Sequence, residues 1–189
     1  MGIYSESVVS NQHDLESRVA HVISQYHQPA LVEQYIEGRE IYVSLLGRPG
    51  ESPQVLPYFE IDFSKLPPDR PRIVSFEGKW VEGSVEYEGT KPVLCQLSPE
   101  LWERVGEAAH AAFEALELRD YGRVDIRLDA SGTPYVIDIN PNCDLSHQAG
   151  GFSRAARAAD LTYDDVVFRI LDLALSRRLN ADTIPLAER

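Results

Sequence analysis

Two short apolar segments carry acidic and amide side chains at alternate positions, a pattern that could hold a divalent metal ion. The segments read GRVDIRLD at residues 122–129 and PYVIDIN at residues 134–140, and the residues between them suit a turn. Side chains alternate between the two faces of a strand, so one face of this hairpin should enter the core. The expected core face is Val124, Ile126, Leu128, Tyr135, Ile137 and Ile139. The expected site face is Arg123, Asp125, Arg127, Val136, Asp138 and Asn140.

The acidic residues of the two strands should face each other across the hairpin. A turn centred between residues 131 and 132 places Asp125 opposite Asp138. Opposed strand residues hold their Cβ atoms about 5 Å apart, and two like charges there repel unless a cation lies between them. The predicted pairing therefore requires a positive charge at the site.

The predicted metal ligands are Asp125, Asp138 and Asn140. Carboxylate and amide oxygens suit Mg²⁺, or Mn²⁺, and Mg²⁺ usually fills its remaining positions with water and phosphate oxygens. The site therefore also predicts a bound nucleotide. The residues alone leave a second interpretation open, in which this is a solvated strand face that carries scattered charges.

Helical periodicity predicts three helices that could support the hairpin. Residues 14–25 space their apolar side chains at helical intervals, and Pro29 then ends the segment. Ser98 and Pro99 suit the N-cap and first turn of a second helix. Thr162 suits the N-cap of a third helix through TYDDVVFRILDLALSRR. Together with the strands, these helices predict an α+β domain in which helices pack against an antiparallel sheet.

The region before the second helix predicts further strands and a long loop. Residues 31–47, LVEQYIEGREIYVSLLG, alternate in polarity and have Gly38 and Arg39 between their halves, which favours two strands or a strand and a bend. Residues 50–91 contain several prolines and glycines, so we expect only short strands and loops there, with a mobile loop.

The composition restricts the partners that the chain could bind. With 189 residues, 43% of them hydrophobic, the chain can form a core. Its net charge of -12 argues against nucleic acid and membrane surfaces, which require clusters of Lys and Arg. The sequence shows neither an apolar run of about 20 residues nor a secretion signal, so we expect a cytoplasmic protein that acts on small molecules. Cys95 and Cys143 cannot form a disulfide framework, and we expect reduced thiols.

At the hairpin the sequence resembles the D-alanine:D-alanine ligase branch of the ATP-grasp superfamily. That family carries an R-V-D-x-x-L-D strand followed by an E-x-N strand, in the same order as here. The resemblance implies an ATP-grasp-like fold with ATP as the nucleotide and Mg²⁺ bound to Asp125, Asp138 and Asn140. It also implies that Arg123 holds the charge of an acyl phosphate and of the transition state.

Three residues upstream match the nucleotide contacts of the family. LVEQYIEGREIYV resembles the linker and strand whose two glutamates meet the nucleotide. This resemblance implies that Glu33 lies near the adenine and that Glu40 lies at the ribose hydroxyls. The segment FEGKW resembles a run beside a substrate-covering loop, which implies that Lys79 contacts phosphate.

The sequence departs from the family pattern at two places near the expected site. Asp138 stands where the family usually has Glu, so the backbone must approach the metal more closely or water must replace one ligand. The family follows its Asn with a Thr-x-Pro-Gly turn that receives a D-alanine carboxylate, whereas residues 141–146 read PNCDLS. Asp144 would repel a carboxylate, which argues against D-alanine, and Ser146 is the expected substrate contact. Cys143 has no His placed to activate it, so we expect a buried side chain rather than a nucleophile.

The resemblance also suggests how the chain is organised. Residues 1–178 are expected to form a partial ATP-grasp domain, and residues 179–189 a loose tail. The opening MGIYSESVV resembles the end of the family's phosphate-binding loop, so we expect the domain to be incomplete at its N-terminus. The sequence leaves the oligomeric state open and is compatible with a homo-oligomer.

The function implied by the resemblance is an ADP-forming ligase that joins a small-molecule carboxylate to an amine through an acyl phosphate. Arg123 and Lys79 would supply positive charge to the transferred phosphoryl group. The alternative is a non-catalytic fragment or pseudoenzyme that keeps the fold and at most weak Mg²⁺–nucleotide binding, since the family's phosphate-holding lysines are missing. A metal-dependent hydrolase is a third possibility, but it needs a base such as His near the metal, and the sequence places none there.

Overall fold

The computed structural model of the chain describes residues 2–48 and 50–182, with side chains up to Arg177. The elements in chain order are a 3₁₀-helix (Ser5–Ser7), α1 (Gln12–Tyr26), β1 (Arg39–Gly47), β2 (Gln54–Val55), β3 (Phe59–Asp62), α2 (Phe76–Trp80), α3 (Val85–Gly89), β4 (Lys91–Leu94), α4 (Pro99–Ala115), β5 (Asp120–Leu128), β6 (Pro134–Asn140), α5 (Gly151–Ala158) and α6 (Tyr163–Asp182). The chain divides into two compact units. The smaller unit is Met1–Gly38 with Ile61–Val93, and the larger is Arg39–Glu60 with Leu94–Arg189.

The predicted first helix is confirmed as α1 in the smaller unit. The side chain of Asn11 accepts a hydrogen bond from the Asp14 amide at 2.9 Å, which caps the first turn. The helix ends at Tyr26, and the amide of the next residue, His27, still donates to the Ile23 carbonyl. The left-handed backbone of His27 (φ 54°) then turns the chain out of the helix. None of the α1 residues is buried, although the helix carries an apolar stripe.

Two short helices replace part of the loop predicted for residues 50–91. The hydroxyl of Ser75 accepts a hydrogen bond from the Gly78 amide and begins α2, and that of Ser84 accepts one from the Tyr87 amide and begins α3. A serine cap satisfies an amide that the helix itself cannot pair, which favours a helical turn even in a glycine-rich segment.

Of the two alternatives predicted for residues 31–47, the structure shows the strand and a bend: the bend lies at Gly38 and the second half forms β1. Among the described residues, no strand is assigned between residues 28 and 38. The strand begins at Arg39, where the ladder with β5 starts at Leu128. Alternating polarity shows which residues could form a ladder, but it does not supply the partner strand.

The strands form one sheet with the order β4-β3-β1-β5-β6, and β2 also pairs with β1. β1 runs antiparallel to β2, β3 and β5, and β5 runs antiparallel to β6. The boundaries between the two units fall within β3 and β4. The predicted α+β class with an antiparallel sheet is therefore confirmed.

In the larger unit, alternate residues of β1 and β5 pack with α4 in the main core. The main core cluster includes Ile41, Val43, Leu45, Val105, Ala109, Phe113, Val124, Ile126 and Leu128. A second cluster consists of Leu46, Leu56, Cys143, Phe152, Ala155, Ala156 and Val166. Since successive strand residues point to opposite faces, this packing leaves the intervening residues of β1 and β5 on the other face of the sheet.

The other two predicted helices begin at the predicted caps. The hydroxyl of Ser98 accepts a hydrogen bond from the Leu101 amide at the start of α4. At the start of α6, Thr162 accepts from the Asp165 amide at 3.1 Å, and the Asp165 carboxylate accepts from the Thr162 amide at 2.8 Å. The predicted tail at 179–189 overlaps α6, which runs to Asp182, and residues 183–189 lie outside the described part of the chain. No helix in the described ranges is long and apolar enough to cross a membrane.

The β5–β6 hairpin contains a β-bulge that changes the predicted faces of β6. Ile126 pairs with Val136, whereas Asp125 pairs with Asp138, so Ile137 is an extra residue on β6. The prediction that Tyr135 and Ile137 share the core face, with Val136 on the site face, is wrong. Val136 pairs with the buried Ile126, and Tyr135 pairs with Arg127. The prediction assumed an unbroken period of two, which the bulge interrupts.

Tyr58 is held tightly against α4. Its ring stacks on Trp102 with the ring centroids 3.6 Å apart, and its hydroxyl donates to the Trp102 carbonyl at 3.2 Å. A Cβ placed on Gly106 would lie 2.6 Å from the Tyr58 Oη and 3.9 Å from its Cζ. The hydroxyl alone therefore occupies the space that a side chain at position 106 would need.

We expect Gly106→Ala to lower the free energy of unfolding, although alanine is favoured over glycine inside helices by about 1 kcal/mol. The added methyl group must displace the stacked Tyr58 ring. In the Tyr58→Phe background the same substitution should instead raise stability, because the nearest ring atom would lie at an ordinary contact distance. Urea unfolding of the four proteins measures both effects. Equal effects in the two backgrounds would show that the hydroxyl is not the obstacle.

Both cysteines should be unreactive in the folded protein. Cys95 and Cys143 are free and buried, and burial raises the pKa of Cys95 to about 12 and that of Cys143 to about 11. The thiolate is the reactive form, so at pH 8 both groups remain protonated and shielded. We expect a thiol-specific chromogenic disulfide to label neither residue quickly at pH 8 and to label both in urea. Fast labelling of the native protein that Cys143→Ser abolishes would contradict the packing of that residue.

Candidate functional site

The sheet face opposite α4 carries polar side chains from β1, β5 and β6. Across the β1–β5 ladder, the pairs on this face are Glu40 with Arg127, Tyr42 with Asp125, and Ser44 with Arg123. Across the β5–β6 ladder, the pairs are Asp125 with Asp138 and Arg123 with Asn140. The two acids pair as predicted because two departures from the prediction cancel. Leu128 pairs with Pro134, which centres the turn on residue 131 rather than between residues 131 and 132, and the extra residue Ile137 then restores the pairing of Asp125 with Asp138.

Arg123 and Asp125 form a two-point ion pair along β5. The Arg123 Nε donates to Asp125 Oδ1 at 2.6 Å, and its Nη2 donates to Oδ2 at 2.8 Å. The guanidinium carbon also lies 4.5 Å from the centroid of the Tyr42 ring. Burial lowers the pKa of Arg123, but the hydrogen bonds and charge of Asp125 outweigh this effect and raise it overall. Arg123 is therefore a permanent positive charge beside the acids.

Asn140 connects the two acids. Its Nδ2 donates to Asp138 Oδ2 at 3.1 Å and lies 3.4 Å from Asp125 Oδ2. The other oxygen of Asp138 accepts from the Ile139 amide at 2.9 Å. Both predicted acidic ligands thus lie within hydrogen-bonding reach of the Asn140 amide. Rotation of the Asn140 side-chain amide by half a turn would direct its oxygen, instead of its nitrogen, toward the two carboxylates.

The donor set at this position suits a hard divalent cation that keeps part of its shell for water or phosphate. Asp125, Asp138 and Asn140 offer only oxygen ligands once the amide is rotated. Over the described ranges, no group of three or more His, Cys, Asp or Glu side chains is arranged to hold a metal. A metal held by these residues would have two carboxylates and one amide as ligands, so Mg²⁺ fits better than a cation that requires a full protein shell.

A second buried ion pair lies on the same face. Arg127 Nη1 donates to Glu40 Oε2 at 3.2 Å, and the Tyr42 hydroxyl donates to Glu40 Oε1 at 2.9 Å. Burial raises the pKa of Tyr42 well above 10, and the charges of Glu40 and Asp125 add to this effect. Tyr42 therefore stays protonated and remains a hydrogen-bond donor at neutral pH.

The sequence alone does not reveal the part that Tyr42 and Arg127 take in this arrangement. Its alternation places Arg127 on the site face without indicating a function, and it predicts Tyr42 only as part of a strand. The usable signal was the alternation of β1, which places Tyr42 on the same side as Glu40. What the sequence could not supply was the β1–β5 register, which brings Arg127 opposite Glu40.

The loop after β6 is fixed by side chains of α5. The Ser153 hydroxyl donates to the Leu145 carbonyl at 2.9 Å, Arg154 donates to the Ala149 carbonyl at 3.2 Å, and Arg157 donates to the His147 carbonyl. The two arginines of α5 therefore hold the loop in place. Burial, followed by repulsion from Arg157 and Arg123, lowers the pKa of Arg154.

Ser146, the predicted substrate contact, is an exposed residue of this loop. Its amide and its hydroxyl both donate to the Asp144 carboxylate, at 2.8 and 3.1 Å. Cys143 precedes them and is buried in the second core cluster, as the sequence predicted. The loop therefore presents a carboxylate and a hydroxyl that are already joined to each other.

Glu33 and Lys79 belong to the smaller unit and are not part of this sheet face. Glu33 is exposed and lines a cavity of 580 Å³, whose other walls include α1 and residues 28–32 of the same unit. Lys79 is exposed in the last turn of α2. The nucleotide contacts expected of these two residues remain predictions.

Comparisons with known proteins agree on one family. The profile of the family described as the D-ala D-ala ligase C-terminus matches residues 3–172. The chain is 35% identical to the uncharacterised protein y4sG of Sinorhizobium fredii over 86% of this chain and 46% of that protein. It is 30% identical to the D-alanine--D-alanine ligase of Desulforudis audaxviator over 94% of this chain and 52% of that protein.

A solved structure supports the same assignment. The D-alanine--D-alanine ligase of Bacillus anthracis in complex with ATP superposes with a TM-score of 0.69 at 25% identity, over 92% of this chain and 50% of that chain. The chain therefore spans about half the length of the relatives that it matches. The family profile covers most of the sequence and the fold agrees, so the chain belongs to the D-alanine:D-alanine ligase C-terminal family and has an ATP-grasp-like fold.

Proposed function

We propose that this chain is the metal- and nucleotide-binding part of an ADP-forming carboxylate–amine ligase. The observation that carries the proposal is the convergence of Asp125, Asp138 and Asn140 beside Arg123, in a chain of this ligase family. The family in general depends on ATP and Mg²⁺, and we propose the same cofactors here, with Mn²⁺ as a substitute. The cytoplasm is the compartment that this chemistry favours.

In this proposal, the protein acts mainly by positioning charge. Asp125, Asp138 and Asn140 would hold Mg²⁺, and the ion would supply positive charge to the phosphates of ATP. Arg123 already lies beside these ligands and supplies a further fixed charge to the phosphoryl group. Glu33 and Glu40 bind the nucleoside, and Lys79 contacts phosphate.

The substrates are proposed to be a small-molecule carboxylate and an amine. Asp144 lies in the loop that follows the Asn140 strand, where the family pattern has a turn that receives a D-alanine carboxylate. Its negative charge, fixed by Ser146, disfavours D-alanine at that position. We therefore propose a different amine, with Ser146 as its hydroxyl contact.

Calorimetry with Mg²⁺–ATP tests the nucleotide site. We expect the chain to bind Mg²⁺–ATP, and Asp138→Ala and Asn140→Ala each to weaken binding by about tenfold or more, since even groups that only support metal ligands contribute this much. Glu107→Gln, an exposed acid on α4, is the matched control and should bind normally. Binding that neither site variant changes would place the nucleotide elsewhere. Absence of binding would assign the chain to the non-catalytic alternative.

Turnover tests the ligase reaction itself. With ATP, Mg²⁺ and a panel of amino acids and amines, ADP release should require both a carboxylate and an amine. Arg123→Lys should reduce kcat by about 100-fold or more, because Lys cannot reproduce the two-point geometry. ATP binding without ADP release for any substrate pair would support the non-catalytic fragment or pseudoenzyme instead.

A further inference from the structure

The ion pair between Glu40 and Arg127 is among the most deeply buried charged groups of the larger unit. Glu40 is 7% exposed and Arg127 is 4% exposed. They lie directly opposite each other in the β1–β5 ladder, and their side chains meet at 3.2 Å. Burial of two charges is costly unless they are well paired, so a buried ion pair is weak evidence for a stabilising role.

Tyr42 completes the arrangement from the adjacent position on the same strand face. Its hydroxyl donates to Glu40 Oε1, whereas Arg127 donates to Oε2, so each carboxylate oxygen has its own donor. Two donors at the two oxygens fix the plane of the carboxylate as well as its position. The guanidinium of Arg127 also compensates the charge of Glu40, so that a polyanion nearby is not repelled by an unbalanced acid.

We propose that Arg127 and Tyr42 are positioning residues that hold Glu40 as a fixed acceptor for the ribose hydroxyls of the nucleotide. The inference rests on the proposed function, because it assumes that Glu40 meets the sugar. It goes further by assigning the sugar selectivity of the site to two residues that do not themselves touch the sugar. A carboxylate with a fixed plane accepts hydrogen bonds from two neighbouring hydroxyls at once. Removal of one hydroxyl from the sugar, or of the donors that fix the carboxylate, should therefore weaken nucleotide binding.

The test compares the binding of Mg²⁺–ATP and Mg²⁺–2′-deoxy-ATP by calorimetry. The dissociation constant of the unmodified chain should be lower for ATP than for 2′-deoxy-ATP by about tenfold or more, as expected for a hydrogen bond to a charged group. Glu40→Gln should reduce this ratio of dissociation constants. Tyr42→Phe and Arg127→Met should reduce it as well, although both leave Glu40 in place. Arg127→Lys should recover only part of the ratio, because a single ammonium group lacks the planar fork of Arg.

The matched control is Arg39→Met, which removes another ion pair of β1. Arg39 donates to both oxygens of Glu60 at 2.7 and 2.8 Å and has no part in the Glu40 group. This variant should keep the preference for ATP. Circular dichroism of every variant identifies any loss of folding, and Tyr42→Phe, which keeps its ring, provides the test if Arg127→Met does not fold.

The outcomes separate this inference from the proposed function. If the unmodified chain binds neither nucleotide, the proposed function and the inference both fail. If it binds both nucleotides equally, nucleotide binding stands and the inference fails. If it prefers ATP but Tyr42→Phe and Arg127→Met weaken both nucleotides by the same factor, these residues have only a structural role and the inference is overturned.

Discussion

The antiparallel ladder between β1 and β5 determines the position of the polar groups at the site. It pairs Glu40 with Arg127 and Tyr42 with Asp125, while the residues between them enter the core against α4. Because strand side chains have a period of two, a shift of one residue would bury the charged groups in that core and expose its apolar side chains. The free energy of apolar burial therefore specifies the arrangement of the polar face, although no apolar group takes part in it.

Each acid on the polar face has its own hydrogen-bonding partner, which allows the acids to lie close together. Asp125 is compensated by Arg123 and Glu40 by Arg127, both on β5, whereas Asp138 is bonded to Asn140 and to a backbone amide. Charge-assisted hydrogen bonds of this kind offset much of the cost of removing a carboxylate from water. The acid with no guanidinium partner in the described contacts, Asp138, lies on the outer strand of the sheet, where water reaches it more easily.

The sequence predicted most of the elements around the site because their signals are local. Caps at Ser98 and Thr162 and the alternation of β5 are encoded in neighbouring residues, and the pairing of Asp125 with Asp138 followed from the hairpin. Contacts between distant segments could not be predicted in the same way. The pairing of Glu40 with Arg127 depends on a register between strands far apart in the chain, and the choice between a second strand and a bend before Arg39 depends on whether a partner strand is present. The resemblance to a known family supplied roles for single residues, but it could not supply these contacts.

The bulge at Ile137 also affects how related sequences can be compared. Without that residue, a regular ladder from the Ile126–Val136 pair would still place Asp125 opposite Asp138. Loss of a residue from the turn would instead displace the second acid, unless another part of the strand absorbed the change. A relative with one residue fewer between these acids can therefore keep the pairing of the acids or lose it. The outcome depends on whether the missing residue lies in the bulge or in the turn. The number of residues between two functional groups is not a measure of the distance between them.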